Sequence, residues 1–355
     1  MNSLERVQAA IHQQQPDRVP IDLCFAPELW DKLKLELGYD DARLSKWIGN
    51  DIVYVEPVFK NTVSEIHYAD PTIEVTGRGH YLDIYRVPFR QVKTELQTYV
   101  ELAGQPPLQH CSSLPELENH PWPQPDWWDY SRIPGELAKN HTKATYSHSR
   151  GFFEISHFLR GMEEFMMDLA LNPRFAAALM DHIVEYLLER TRIILEKGQG
   201  QFTIYEYNDD VASQTSLFMS PDMWRKFNKP RMAKFCDLIH SHGAKVKYHS
   251  CGSVRAIIPD LIEIGVDILN PVQPLAQGMD PFELKRLFGK DLVFHGGVDI
   301  QNLLPNAAAV EVREHTRRMI GQIGENGGFI LSGSHTLQAD IPVQNIIAML
   351  EEAKK

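Results

Sequence analysis

Lys245-Val246-Lys247-Tyr248-His249-Ser250-Cys251-Gly252 reads as a short strand that runs out into residues able to do chemistry. Gly243, just behind His242, marks the stop of the helix before it, and a helix-length amphipathic stretch follows. The same unit recurs along the chain. Short apolar runs ending in polar residues stand at 202–208, 267–271, 292–296 and 328–333, with three more candidates upstream at 18–24, 51–56 and 144–148. The segments between them carry helix punctuation. Ser220-Pro221 supplies an N-cap with proline in the first turn, and the stretch from Asp340-Ile341-Pro342 sets Val343, Ile346, Ile347 and Leu350 on one face. Strands alternating with helices make parallel sheets with crossover helices. Eight such units in the chain predict a closed (β/α)8 TIM barrel. An open doubly wound sheet is the alternative, but no Gly-x-Gly-x-x-Gly turn follows the first strand.

One region interrupts the pattern. Residues 58–143 hold strand-like alternation at Thr72–Thr76 and Tyr81–Val87, then a Pro/Trp-rich stretch with Trp122, Trp127 and Trp128. This predicts an insertion in a single barrel domain spanning 1–355, lying over one end of the barrel as a lid whose tryptophans shield the rim. The chain is long enough, at 355 residues, to bury a sizeable core, and its 23% charged residues exclude wholesale disorder. With 36 Lys+Arg against 47 Asp+Glu the formal charge is −11, which argues against nucleic-acid binding, since phosphate contacts need a basic face. Four scattered cysteines make no disulfide framework. The first residues lack the apolar core of a signal peptide, and no apolar run approaches the ~20 residues needed to span a bilayer. The expectation is a cytoplasmic protein with reduced thiols.

Barrel enzymes build their sites where strands end and βα loops begin. That rule gathers Asn208, Asp209 and Asp210 after one strand, His249 and Cys251 after the next, Asn270 and Gln273 after the third, His295 through Asp299 after the fourth, and His335 after the last. Residues i and i+2 of an extended chain point the same way, so His249 and Cys251 can grip one ion. An imidazole and a thiolate suit zinc, and His335 is the best third ligand. The competing interpretation is a packed cysteine beside a hydrogen-bonding histidine. Asp209 and Asp210, with Tyr248 close by, are the candidates for acid/base work, although Asn-Asp-Asp after a strand is also a normal turn and cap sequence. Asn270, Gln273, His295 and Asp299 are the candidates for substrate binding, and Asp299 is equally placed to cap the next helix.

The stretches His240-Ser241-His242-Gly243-Ala244-Lys245-Val246, His249-Ser250-Cys251-Gly252-Ser253-Val254, Ile257-Ile258-Pro259-Asp260-Leu261 and Gly265 through Gln273 resemble the uroporphyrinogen decarboxylase superfamily. Pro16-Asp17-Arg18-Val19-Pro20 and the Gly151-Phe152-Phe153-Glu154 block are similar to the same family, and the latter adds Glu154 to the substrate-binding set. The resemblance implies a (β/α)8 barrel. True decarboxylases of that family carry an Arg-Gln-Ala-Gly-Arg-Tyr signature whose arginines bind substrate carboxylates; here Pro20-Ile21-Asp22-Leu23-Cys24-Phe25-Ala26 stands instead. The cobamide-dependent methyltransferase branch binds zinc through His-x-Cys and a later cysteine. His249 and Cys251 match, while Ser334-His335 stands where the later cysteine belongs. Replacing a thiolate by a neutral imidazole makes the bound metal one unit more positive and a harder Lewis acid.

The resemblance therefore implies metal-assisted methyl transfer on a small methylated substrate, with zinc in the barrel and a corrinoid carried by a partner protein. The alternatives are a carboxy-lyase using an aspartate at the rim, and a non-catalytic barrel that holds a corrinoid or other small ligand.

Overall fold

The computed structural model describes residues 1–60 and 80–355. Seven parallel strands form one curled sheet in chain order: β1 (Ile52–Tyr54), β2 (Ala144–Arg150), β3 (Ile204–Asn208), β4 (Lys245–His249), β5 (Ile268–Val272), β6 (Val293–Val298) and β7 (Phe329–Gly333). Residues 20–23 fill the eighth position. Ile21 bridges Leu331 in parallel, Leu331 N donates to Pro20 O (2.8 Å) and Asp22 N to Leu331 O (3.1 Å). On the other flank side chains replace most of the ladder. Asp51 N donates to Ile21 O (2.8 Å), Ile21 N to Asp51 Oδ2 (2.9 Å), and Leu23 N to Asn50 Oδ1 (3.0 Å). Every one of the eight expected units is thus a stave of the barrel.

Strand parity decides what lies inside. The inward positions at the N-terminal ends are Ile52, Ala144, Ile204, Ile268, Val293 and Ile330, which cluster with Val7 and Ile11 of helix α1 (Ser3–Ile11). This helix starts with a capping box between Asn2 and Glu5 and plugs the lower mouth. Beside the plug, fully buried Asp51 accepts from Arg6 (2.7 Å), Arg18 (2.8 Å) and Ser3 (2.7 Å). The outward positions, among them Tyr205, Tyr207, Val246, Tyr248, Leu269, Phe294 and Leu331, pack into the main apolar core with the surrounding helices.

The insertion pairs Val58–Phe59 with Trp128–Asp129 and folds His80–Leu82, Pro88–Lys93 and Thr98–Leu102 into an antiparallel sheet. The alternation expected at 72–76 lies outside the described residues. Trp122 and Trp128 are held against one helix, and Trp128 also lines a cavity with Glu56, His148 and Arg150 at the strand ends. Trp122 stacks on His182 (4.9 Å, 10°), and Trp128 donates to Tyr186 OH (2.9 Å) beneath the Arg190 guanidinium (4.6 Å), all three partners on helix α2 (Pro173–Gly198). An aromatic face with one polar atom suits such an anchor. Among the described residues the hairpin turn also reaches the rim, where Leu96 O accepts from Ala339 N (3.2 Å) and Gln97 meets Gln338 (3.0 Å).

Candidate metal centre

His249 ends β4 on its inward parity, Cys251 follows two residues later, and His335 lies in the loop after β7. One ligand atom from each lies within 4.8 Å of the others. His249 Nε2 and Cys251 Sγ are 3.8 Å apart, close to the edge of a tetrahedron built on zinc–nitrogen and zinc–sulfur bonds of about 2.0 and 2.3 Å. The loops are tied down. Cys251 N donates to Asp210 Oδ1 (2.7 Å), Gly252 N to Gln273 Oε1 (2.8 Å), and Gln273 Nε2 to Ser334 O (3.3 Å), next to His335. Gly252 has φ +85°, and a Cβ there would sit 2.3 Å from Ser213 O, so only glycine lets this turn close. Burial, then the charge of Asp210, pushes the Cys251 thiol up to about 12, so the thiol keeps its proton until a cation displaces it. Three soft or borderline donors with room for a fourth partner fit zinc. Residues Gln214, Gln273, Asp299, Gln301 and Gln338 surround a cavity of about 420 Å3 beside His335.

Beneath the rim the barrel interior is polar. His249 Nδ1 lies 2.6 Å from Asn270 Oδ1, Asn270 Nδ2 lies 2.6 Å from His295 Nδ1, and His295 Nε2 lies 3.2 Å from Asp22 Oδ2. Next to this row, buried Lys247 pairs with Glu206 at 2.6 Å and sits over the Tyr146 ring at 4.4 Å. Burial alone raises the Glu206 carboxyl, but Lys247, helped by His249 and His148, outweighs it and holds the group at about 2. Asp22, Glu206 and Lys247 were not among the residues expected from sequence. The signal was present: 245, 247 and 249 share one parity, so a chemical residue at 249 places Lys247 in the same lumen.

The structure distributes the expected residues unevenly. Asp210 is at the rim, with Oδ1 3.9 Å from His249 Nε2. Glu154 pairs with Arg150 at 3.6 Å; burial raises its carboxyl against the pull of Arg150, and Asp210 adds to the rise. Asp209 is 1% exposed and accepts from Tyr207 OH (2.7 Å), Glu154 N (2.9 Å) and Phe153 N (3.2 Å), so it caps the helix Phe152–Arg160. A Cβ on Gly151 would lie 2.0 Å from Asp209 Cγ, which makes that glycine part of the cap. Burial pushes the Asp209 carboxyl up to about 7. Tyr248 points outward and donates to Asp209 O (3.2 Å), away from the ligands. Asp299 accepts from the amides of Gln301 (2.7 Å), Asn302 (3.2 Å) and Leu303 (3.2 Å), the capping alternative. Asn270 and His295 face each other and leave little free edge for a ligand, while Gln273 braces the two loops.

Residues 153–355 match the family model described as uroporphyrinogen decarboxylase (URO-D), and the chain belongs to that family. A methylated-thiol--coenzyme M methyltransferase of Methanosarcina mazei is 21% identical over 208 residues, 57% of this chain and 51% of that protein. The chain thus spans about half the length of that curated relative. A solved methyltransferase structure from Methanosarcina mazei superposes with a TM-score of 0.64 at 18% identity, covering 100% of this chain and 98% of the other. The likeness is one of fold, the (β/α)8 TIM barrel of this family.

Proposed function

We propose that the chain is a zinc-dependent methyltransferase, a single barrel domain with an insertion at about 58–143, that moves a methyl group between a small methylated substrate and a corrinoid carried by a partner protein. The observation that carries this is the convergence of His249, Cys251 and His335 at the C-terminal rim of a URO-D-family barrel. Those three residues would hold the metal, which when bound supplies a Lewis acid for an acceptor or leaving group. The protein's own residues do the rest. His249 presents Nε2 while Asn270 holds Nδ1. Asp210, its side chain 39% exposed, offers a carboxylate at the rim to take or return a proton. Glu154 and Arg150 form a charged pair, 21% and 38% exposed, to orient a polar substrate. A related methyltransferase name and fold support the reading. A soluble cytoplasmic setting is part of the proposal, and among the described residues no helix is long and apolar enough to cross a membrane.

For the carboxy-lyase alternative Asp209 is committed to a helix cap, which leaves Asp210 as its acid at the rim. The test is metal content and turnover together. Protein purified without added metal should carry close to one zinc per chain, and Cys251→Ser should lose most of it, because a hydroxyl is a far poorer ligand than a thiolate. Demethylation of a methylated corrinoid, followed in its visible spectrum, should depend on that zinc. Folded, metal-free protein with full turnover sinks the proposal, and coproporphyrinogen formation from uroporphyrinogen promotes the alternative.

A further inference from the structure

We propose that Asp22, His295 and Asn270 form a one-way polar chain that fixes the tautomer of His249, so that its Nδ1 carries the proton and its Nε2 lone pair is left facing Cys251. The significance for a metal rests on the function proposed above; the chain itself stands on geometry. Its direction is set at the Asp22 end. The Asp22 carboxylate presents only lone pairs, and His295 Nε2, 3.2 Å away without hydrogen-bond geometry, avoids lone-pair repulsion only by carrying the proton. Burial raises the Asp22 carboxyl, but His295 and the Lys247 charge outweigh it and keep the group ionised. Burial lowers the His295 pKa despite Asp22, which favours a neutral ring with one proton.

With that proton on Nε2, His295 Nδ1 can only accept, and the Asn270 amide must turn its NH2 toward it. The amide oxygen is then turned to His249 Nδ1, 2.6 Å away, and can only accept. Each link leaves the next one choice. The reverse orientation needs either a doubly protonated His295, which burial opposes, or a hydrogen-free imidazole nitrogen against a carboxylate. Sequence reading assigned Asn270 and His295 to substrate. The structure makes them positioning residues, since neither touches a ligand-facing atom except through His249. Outer partners of this kind orient ligating histidines and raise their basicity.

The test begins with metal-free wild-type protein. Long-range proton–nitrogen NMR of 15N-histidine-labelled protein, assigned with His249→Gln, should show a pyrrole-type Nδ1 and a pyridine-type Nε2 on residue 249. The other tautomer, or an even mixture, overturns the proposal whatever the zinc content. Asn270→Leu should produce a mixed tautomer and weaken zinc binding, read by competition with a chromophoric chelator, by about 10–100-fold. Asn270→Asp retains an oxygen acceptor for His249 and should keep the wild-type tautomer. Asp22→Asn, remote from the ligands, should also mix the His249 signals. An unchanged spectrum in both Asn270→Leu and Asp22→Asn overturns the chain. A correct tautomer in protein that binds no zinc supports the chain and refutes the metal reading instead.

Discussion

The two mouths of the barrel are lined by the same staves at the same parity, and they differ in almost everything else. At the lower mouth the lumen is aliphatic, filled by Ile52, Ala144, Ile204, Ile268, Val293 and Ile330 and sealed by Val7 and Ile11. Two residues further along those strands it becomes Tyr54, Tyr146, Glu206, Asn270, His295 and Ser332, a layer rich in polar groups. The lower layer gains stability from burial, at about 1.5–3 kcal/mol for each fully buried large aliphatic side chain. The upper layer spends it, since buried polar groups break even only when each is partnered. Separation by two residues lets one strand serve both ends, so stability and chemistry can be changed independently.

That independence is open to experiment. The largest effect belongs to the lower clamp: Asp51→Ala leaves Arg6 and Arg18 without their shared buried partner and should cost about 3–5 kcal/mol in urea unfolding, while zinc per folded chain stays constant. A joint loss of zinc would break the comparison. Next is Ile268→Ala, which opens a cavity in the plug and should cost about 2–5 kcal/mol with the same indifference at the rim. Third is pH. Glu206 falls from its ordinary 4.5 to about 2 on folding, so its contribution is complete above about pH 4.5 and disappears as pH drops through 2. Across that window Glu206→Gln should lose about 3 kcal/mol less stability than wild type, while being less stable at pH 7. Parallel acid curves for wild type and Glu206→Gln would mean that Lys247 does not stabilise the carboxylate. The smallest effect on stability is His335→Ala, an exposed loop residue, expected within about 0.5 kcal/mol of wild type but weaker in zinc binding by more than about tenfold.

Much of the architecture was legible because the βα unit announces itself eight times, and even residues 20–23, which form only bridges, were visible as an apolar run. His249, Cys251 and His335 were legible as neighbours because strand ends must converge on a barrel rim. The exact roles of single residues were harder. Tyr248 was included for its closeness in sequence, yet an inward His249 turns position 248 outward, and parity alone excluded it. Asp209 and Asp299 hid behind a true ambiguity: the same carboxylate that suits catalysis also suits bare helix amides, and which it meets depends on loop geometry. The anchoring of Trp122 and Trp128 was illegible for a different reason. Aromatic clusters in an insertion need a large face to pack on, and helix α2 offered one that the local sequence did not reveal. Deleting 115–130 would therefore expose core, since Leu117 and Tyr130 are buried with the barrel helices.

The seam at residues 20–23 carries a last consequence. Its backbone partner is Leu331, some three hundred residues later in synthesis, and its inward residue Asp22 anchors the row that ends at His249. Emerging from the ribosome, this segment can meet Asn50 and Asp51 early, but its edge toward Leu331 stays unmatched until nearly all the staves exist, a pairing of extreme sequence separation that folding must leave until late. Truncated or stalled chains lacking β7 would retain His249 and Cys251 but neither the closed ring nor an anchored Asp22. Ring closure and the anchoring of Asp22 thus depend on the same late-made strand.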